Sequence, residues 1–376
     1  MVHLLQTASL MCEASLDIDF HFQDVRIARM RHKLLPLIFA SALALSACTS
    51  TPNNAASSSA PADKLKVTTS FYPLTYLTEK IGGERVSVTD LTPPGADAHG
   101  VELSPKEVAA LSESDLVLYV AKLSPAIDDA IKASGVSALN IGDHVNLLPF
   151  DKLGGDPHGH DGHDHATEPA GHDHDHDGHD HATEPAGHDH DHHGHDHDHH
   201  GHDHGTHDPH FWTDPSRMIL AADEIAHQLT HLDKAHKDTY EANAQAVKAE
   251  IKGLVDELAN VNVKQCRTDS FLVSHKAFAY LALESGLHQI GIAGFDPEIE
   301  PSPARIREIQ ELVKEHKIDT VFATSDGEMK TAKAIGQEAG LKVEILDPAA
   351  TQRDPKMDYV DVMKHNIKLL RSSMGC

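Results

Sequence analysis

From Lys64 to the C-terminus, short apolar and β-branched runs alternate with longer segments in which apolar residues recur at helical spacing. The short runs predict eight strands, at "LKVTTS", "RVSVTDL", "DLVLYVA", "SALNIG", "DSFLVSH", "HQIGIAGF", "DTVFAT" and "LKVEILD". Helix starts are indicated by Ser104 with Pro105 and Glu107, a capping box, and by the pairs Asp214-Pro215 and Ser302-Pro303. Strand and helix alternating in this way predict an α/β fold with parallel sheets.

One helical segment, 233–260, is about 28 residues long and contains no proline. At 1.5 Å per residue it would extend for roughly 42 Å, which suits a linking helix between two lobes. We therefore expect an N-terminal α/β lobe at 64–232 and a C-terminal α/β lobe at 261–376. A surface helix of one domain is the alternative.

A tract rich in histidine and aspartate, 156–208, interrupts the N-terminal lobe. It contains an exact duplication, since "DGHDHATEPAGHDHDH" occurs at 161–176 and again at 177–192. The tract has almost no apolar side chains, so burial cannot offset the entropy of ordering it. We expect a disordered loop with an affinity for metal ions.

Charge excludes some partners. The 376 residues carry a formal net charge of -26, and the 15 acidic residues of 156–208 leave about -11 for the rest. Such a balance argues against nucleic acid or anionic lipid as the main partner.

The N-terminus predicts export. Basic residues from Arg29 to Lys33 precede the apolar run "LLPLIFASALAL" and the sequence "LSAC", which ends at Cys48. Residues 1–48 are therefore interpreted as a leader with a signal peptide and a plausible true start at Met30, and 49–63 as a flexible tether. "LSAC" resembles a bacterial lipobox, which implies lipidation of Cys48, whereas ordinary cleavage is the alternative.

Of the remaining cysteines, Cys266 and Cys376 are expected to form a disulfide, with two buried free thiols as the alternative.

Candidate ligands lie where strands end. In open α/β sheets, ligands bind beyond the carboxyl ends of the strands. His99 lies in the loop after "RVSVTDL", His275 follows "SFLVS" and Asp347 follows "KVEIL". His210 lies in "DPHFWTDP", just before a capped helix. Each could be an ordinary loop residue, but their coincidence at such positions indicates a metal site.

The chain resembles the zinc/manganese solute-binding proteins of bacterial ABC importers, the cluster A-I family, from about Lys64 to the C-terminus. The resemblance is carried by "SFYPLTYLTEKIGGERVSVTDLTPPGADAHGVELSPKEVAAL", "HFWTDP", "SHKAFAYLALESGL", "PEIEPSPARIREI" and "LDP". It implies two lobes joined by a rigid helix, with a metal in the interlobe cleft bound by His99, His210, His275 and Asp347. After "VFA", many relatives have Glu where this chain has Thr324-Ser325-Asp326, so an accessory role at this position is in doubt.

The ligand chemistry favours zinc. Three imidazoles and one carboxylate suit Zn²⁺, whereas Mn²⁺ prefers carboxylates and water. A closed site without an H-E-x-x-H motif argues against an enzyme.

We therefore expect an extracytoplasmic zinc-binding protein that is anchored to the outer face of the cell membrane by lipid. It would act as a monomer that delivers Zn²⁺ to an ABC permease, with the ATPase of that permease as an indirect partner, and without binding nucleic acid. A manganese or iron importer component, a surface adhesin and an exported zinc hydrolase are the alternatives.

The tract is expected to be a weak auxiliary collector or sensor of zinc, since an unstructured chain loses entropy for each ion it binds. An inert solubilising spacer is the alternative. The auxiliary metal-binding residues that we predict are His158, His160, His163, His165, His172, His174, His179, His181, His188, His190, His195, His202, His204 and His207.

Overall fold

The computed structural model describes residues 64–153, 205–261, 263–295, 297 and 301–376. Several predictions concern residues outside this set. They are the leader 1–48 with Cys48, the tether 49–63, and the tract histidines from His158 to His204. None of the described helices is long and apolar enough to cross a membrane.

A four-stranded parallel sheet forms the first lobe, with the strand order β2-β1-β3-β4. Its strands are β1 (Leu65–Thr69), β2 (Val86–Asp90), β3 (Leu116–Tyr119) and β4 (Ala138–Asn140). The connecting helices are α1 (Tyr72–Gly82), α2 (Pro105–Leu111) and α3 (Pro125–Ser134). Central strand β1 pairs with β2 on one side and β3 on the other, so the apolar side chains of Val67 and Leu118 are buried.

Two long helices follow, α4 (Pro215–Leu232) and α5 (Lys237–Ala259). The 23 residues of α5 extend for roughly 35 Å. The segment 233–236 is not part of α5, because a 3-10 turn at Lys234–His236 precedes the helix. There the Asp233 carboxylate accepts hydrogen bonds from the His236 ring at 2.7 Å and from the Tyr240 hydroxyl at 2.9 Å.

The second lobe repeats the plan of the first, with the strand order β6-β5-β7-β8. Its strands are β5 (Ser270–Val273), β6 (His288–Gly291), β7 (Thr320–Ala323) and β8 (Lys342–Ile345). Its helices are α6 (Ala279–Ser285), α7 (Pro303–Glu315), α8 (Met329–Ala339) and α9 (Tyr359–Met374). The predicted α/β fold of two parallel-sheet lobes is thus confirmed.

Helix α5 connects the two lobes by its packing. One face, which includes Tyr240, Val247, Ile251 and Leu258, is buried at helical spacing. It packs against α1 and α4 on one side and against α6 and α9 on the other. The long helix therefore contacts helices of both lobes.

Local signals in the sequence explain where several helices begin. Ser104 accepts from the backbone N–H of Glu107, whose side chain accepts in turn from the N–H of Ser104, which completes the predicted capping box. Asp214 caps α4 through the N–H of Ser216, and Ser302 caps α7 through the N–H of Arg305.

Hydrogen bonds also join the two lobes directly, beside the carboxyl ends of the strands. The Trp212 indole N–H donates to the Pro348 carbonyl at 2.8 Å. The Tyr359 hydroxyl donates to the Trp212 carbonyl at 2.6 Å, and the backbone N–H of Tyr72 donates to Ala350 O at 3.2 Å. The loop after β8 is thereby held against the first lobe.

The predicted disulfide is present between Cys266 and Cys376. It joins the last residue of the chain to the segment before β5. Next to it, the backbone N–H of Arg267 donates to Met374 O at 2.9 Å. The C-terminal end of α9 is therefore fixed to the start of the second sheet.

Candidate metal centre

The four predicted ligands all line one cavity between the sheets. His99 lies in the loop between β2 and α2, and His210 directly precedes a 3-10 turn at Phe211–Thr213 that leads into α4. His275 follows β5 and Asp347 follows β8, each at the second position after the strand. Both sheets therefore direct the carboxyl ends of their strands to this cavity, as expected for α/β folds.

Three of the four side chains converge most closely. One ring nitrogen each of His99, His210 and His275 can be chosen so that all three nitrogens lie within 4.8 Å of one another. The two Nε2 atoms of His99 and His210 are 3.0 Å apart. A tetrahedral zinc ion with Zn–N bonds of 2.0–2.1 Å places its nitrogens about 3.4 Å apart. Small adjustments would therefore allow the three imidazoles to share one ion.

Burial distinguishes these histidines from surface histidines. His210 is 1% exposed and His275 is 4% exposed, while His99 is partly buried. The His210 ring also contacts the Trp212 ring, with centroids 5.2 Å apart. Trp212 thus packs in the core and in addition forms part of the cavity wall.

Asp347 lies in the same cavity but is not a member of the three-histidine group. Its Oδ1 accepts from the backbone N–H of Ala349 at 2.8 Å, and its carbonyl accepts from the Asn366 side-chain amide at 2.6 Å. Burial raises the pKa of Asp347, although the Ala349 N–H and the positive charge of Arg353 oppose the shift. A cation in the cavity would favour its ionised form. Metal ligation by Asp347 stays a prediction.

A buried carboxylate lies directly behind His210. Asp208 Oδ1 is 2.6 Å from His210 Nδ1 and 2.9 Å from the His210 backbone nitrogen. Burial raises the pKa of Asp208 to about 8, against the lowering effect of the His210 N–H. When this carboxyl group is ionised it accepts from Nδ1, and the Nε2 lone pair of His210 is then available to the cavity. Asp208 was not among the predicted site residues, although it stands only two residues before His210.

A second carboxylate lies behind His275, and it comes from a distant part of the sequence. Glu328 Oε1 is 2.9 Å from His275 Nδ1. The Thr324 hydroxyl is 2.8 Å from the same nitrogen. Burial alone would raise the pKa of Glu328, but hydrogen bonds from His275, Ser274 and Thr324 and the charge of His275 lower it to about 2. No sequence pattern indicated Glu328, which stands 53 residues after His275.

Residues before the tract contact residues at its C-terminal end, close to His210. Pro149 and His207 form an antiparallel bridge, and the Asp208 N–H donates to Leu148 O at 3.0 Å. The Tyr280 hydroxyl of the second lobe accepts from Leu148 N at 2.8 Å and donates to Asp208 O at 2.7 Å. Leu148 and Pro149, which precede the tract, therefore lie next to its described end at His207 and Asp208. His207, the described member of the predicted auxiliary set, is exposed and is not a member of the three-histidine group.

Comparison with known proteins identifies relatives of the whole described region. Residues 67–373 match the ZnuA family, described as zinc-uptake complex component A, periplasmic. The zinc-binding lipoprotein AdcA of Streptococcus pneumoniae is 30% identical over 320 residues, which cover 82% of this chain and 56% of that protein. The chain thus spans about half the length of this relative.

Solved structures agree with this match. The Zn(II)-bound ZnuA-like domain of Streptococcus pneumoniae AdcA is 26% identical, with a TM-score of 0.60, and the match covers 84% of this chain and all of that one. The laminin-binding protein Lmb of Streptococcus agalactiae is described as bifunctional, with adhesin and metal-transporting activity. It is 29% identical with a TM-score of 0.63, over 82% of this chain and 99% of that chain.

Proposed function

We propose that this chain, which belongs to the ZnuA family of zinc-uptake components, captures Zn²⁺ outside the cytoplasm and delivers it to an ABC permease. The observation that carries the proposal is the convergence of three imidazoles, from both lobes, on one largely buried cavity. Two buried histidines and a partly buried third that line one cavity are suited to hold a cation. The protein would act as a carrier and not as a catalyst.

The donor set favours zinc over manganese or iron. Neutral imidazole nitrogens suit Zn²⁺, whereas Mn²⁺ prefers oxygen donors. Asp208 and Glu328 accept from the Nδ1 atoms of His210 and His275, so that both Nε2 atoms can bind a metal ion. Asp347 would be the fourth ligand and would close a tetrahedral site.

The remaining parts of the chain have supporting roles in this proposal. Lipid on Cys48 would anchor the protein to the outer face of the cell membrane, and residues 49–63 would serve as a tether. The two lobes would comprise 64–232 and 261–376, with 233–260 between them. The tract 156–208 would collect zinc weakly beside the tight site and pass ions to it. The permease and its ATPase would be the partners of a monomer.

Zinc titration of the full chain tests the proposal. Competition with a chelator of known zinc affinity isolates the tight site from weak binding by the tract. We expect one tight zinc equivalent in the wild-type protein and none in the double variant His99→Ala/His275→Ala. Tight binding of zinc by the double variant would contradict the proposal.

Surface adhesion is a second candidate, which the described activities of Lmb suggest. The same double variant separates the two functions. If the chain is a zinc carrier, the variant should fail to support growth at low zinc in a strain that depends on this protein. If it is an adhesin, attachment to laminin should occur and should survive the loss of both histidines.

A further inference from the structure

The Glu328 carboxylate is enclosed by donors on both of its oxygens. Oε2 accepts from the Thr324 hydroxyl at 2.5 Å, from the Thr324 backbone N–H at 3.3 Å and from the Ser274 hydroxyl. Oε1 is 2.9 Å from His275 Nδ1. The Glu328 side chain is 13% exposed. Three donors therefore occupy one oxygen and leave the other for the imidazole.

The hydrogen positions around His275 follow from this arrangement. A threonine hydroxyl has one proton, and that of Thr324 is donated to Glu328. Its oxygen, 2.8 Å from His275 Nδ1, can therefore only accept from the ring. Glu328 Oε1 is also an acceptor. Both neighbours require the proton on Nδ1, which leaves the lone pair on Nε2.

We propose that Glu328 is a positioning residue for zinc capture, and that its carboxylate holds His275 in the orientation and tautomer in which Nε2 binds the ion. The inference deepens the proposed function and rests on it. Carboxylate partners of this kind fix the ring and increase its basicity as a ligand. The carboxylate comes from Glu328, the residue that directly precedes α8.

A glutamine at position 328 would disrupt this arrangement. An amide has a single acceptor oxygen, so it cannot serve both His275 and the three donors around Oε2. The charge that supports the imidazole would also be lost. Loss of an outer partner typically weakens metal binding about 10- to 100-fold.

The experiment measures zinc affinity of the full chain by chelator competition, together with the ring nitrogen shifts of His275 in metal-free protein by NMR. We expect Glu328→Gln to bind zinc about 10- to 100-fold more weakly and to lose the pure Nδ1–H tautomer. The matched control is Glu338→Gln, an exposed glutamate of the same helix, which should bind like the wild type. Thr324→Val, which removes the hydroxyl but keeps the shape, should cost less affinity than Glu328→Gln.

Three results would overturn the inference. One is wild-type affinity in Glu328→Gln, and another is a loss in Thr324→Val that equals or exceeds that in Glu328→Gln. The third is an Nε2–H tautomer of His275 in the metal-free wild-type protein, which can be read even if a variant fails to fold. By contrast, failure of the proposed function would appear as unchanged zinc affinity in His275→Ala.

Discussion

His210 and His275 each have a carboxylate behind the ring, but the two lobes provide it in opposite ways. Asp208 belongs to the same loop as His210. Burial is the main influence on its pKa and raises that pKa to about 8. Glu328 comes from another strand–helix connection, accepts several hydrogen bonds, and its pKa is shifted down to about 2. The same support for a ligand can therefore either cost folding free energy or contribute to it.

The difference has a physical reason. Asp208 Oδ1 accepts from the ring and the backbone N–H of His210, whereas donors surround both oxygens of Glu328. A buried carboxylate with few donors is strained in its ionised form until a cation arrives. The ionised form of Asp208 in the first lobe thus needs a nearby cation, whereas the ionised form of Glu328 in the second lobe is already stabilised.

The largest expected effect comes from removing the imidazoles themselves. His210→Ala and His275→Ala should each weaken zinc binding by more than the roughly 10- to 100-fold range of outer partners, because a metal bond is lost. Chelator competition measures the affinity. His227→Ala, at an exposed position of α4, is the matched control and should leave the affinity unchanged. If His210→Ala or His275→Ala bound zinc as tightly as the control, the comparison of the two histidines as ligands would be wrong.

A smaller loss of zinc affinity is expected when Asp347, the proposed fourth ligand, is replaced. Asp347→Asn should weaken zinc binding about 10- to 100-fold, similar to the loss of an outer partner, because an amide is a poorer metal ligand than a carboxylate. Isothermal calorimetry can measure this change and the accompanying enthalpy. Unchanged affinity would show that three histidines alone hold the ion.

The strand and helix patterns in the sequence pointed to most of the candidate site residues, because these residues lie next to the end of a strand or the start of a helix. His99, His275 and Asp347 follow strands that the apolar runs located closely, and His210 precedes a recognisable helix cap. Asp208 could have been found, since it stands two residues before His210. Glu328 could not, because only the pairing of β5 with β7 brings its connection next to His275. Likewise, no pattern revealed that 234–236 forms a separate turn before α5.

Substitution of the two carboxylates should change the free energy of unfolding of the metal-free protein in opposite directions. Asp208→Asn removes a carboxyl group whose raised pKa makes it take up a proton on folding at neutral pH. Because that proton uptake costs stability, the substitution should raise the free energy of unfolding by roughly 1 to 3 kcal/mol. Glu328→Gln removes a well-bonded charge and should lower it by a similar amount. Denaturant unfolding of chelator-treated protein provides both values. Changes of the same sign would contradict the contrast drawn from the two pKa shifts.

The smallest expected effect on the tight site is that of deleting the tract. Phe150 N donates to Thr206 O at 3.3 Å, and Pro149 bridges to His207, so a short Gly-Ser connection from 153 to 205 can close the gap without moving Asp208. Tight zinc affinity should change by less than about threefold, within the range of context effects on a preserved site. The total zinc bound at high concentration should fall, because the weak ligands are gone. Equilibrium dialysis at low and high zinc measures both quantities, and a loss of the tight equivalent would mean that the Asp208–His210 pair depends on the tract.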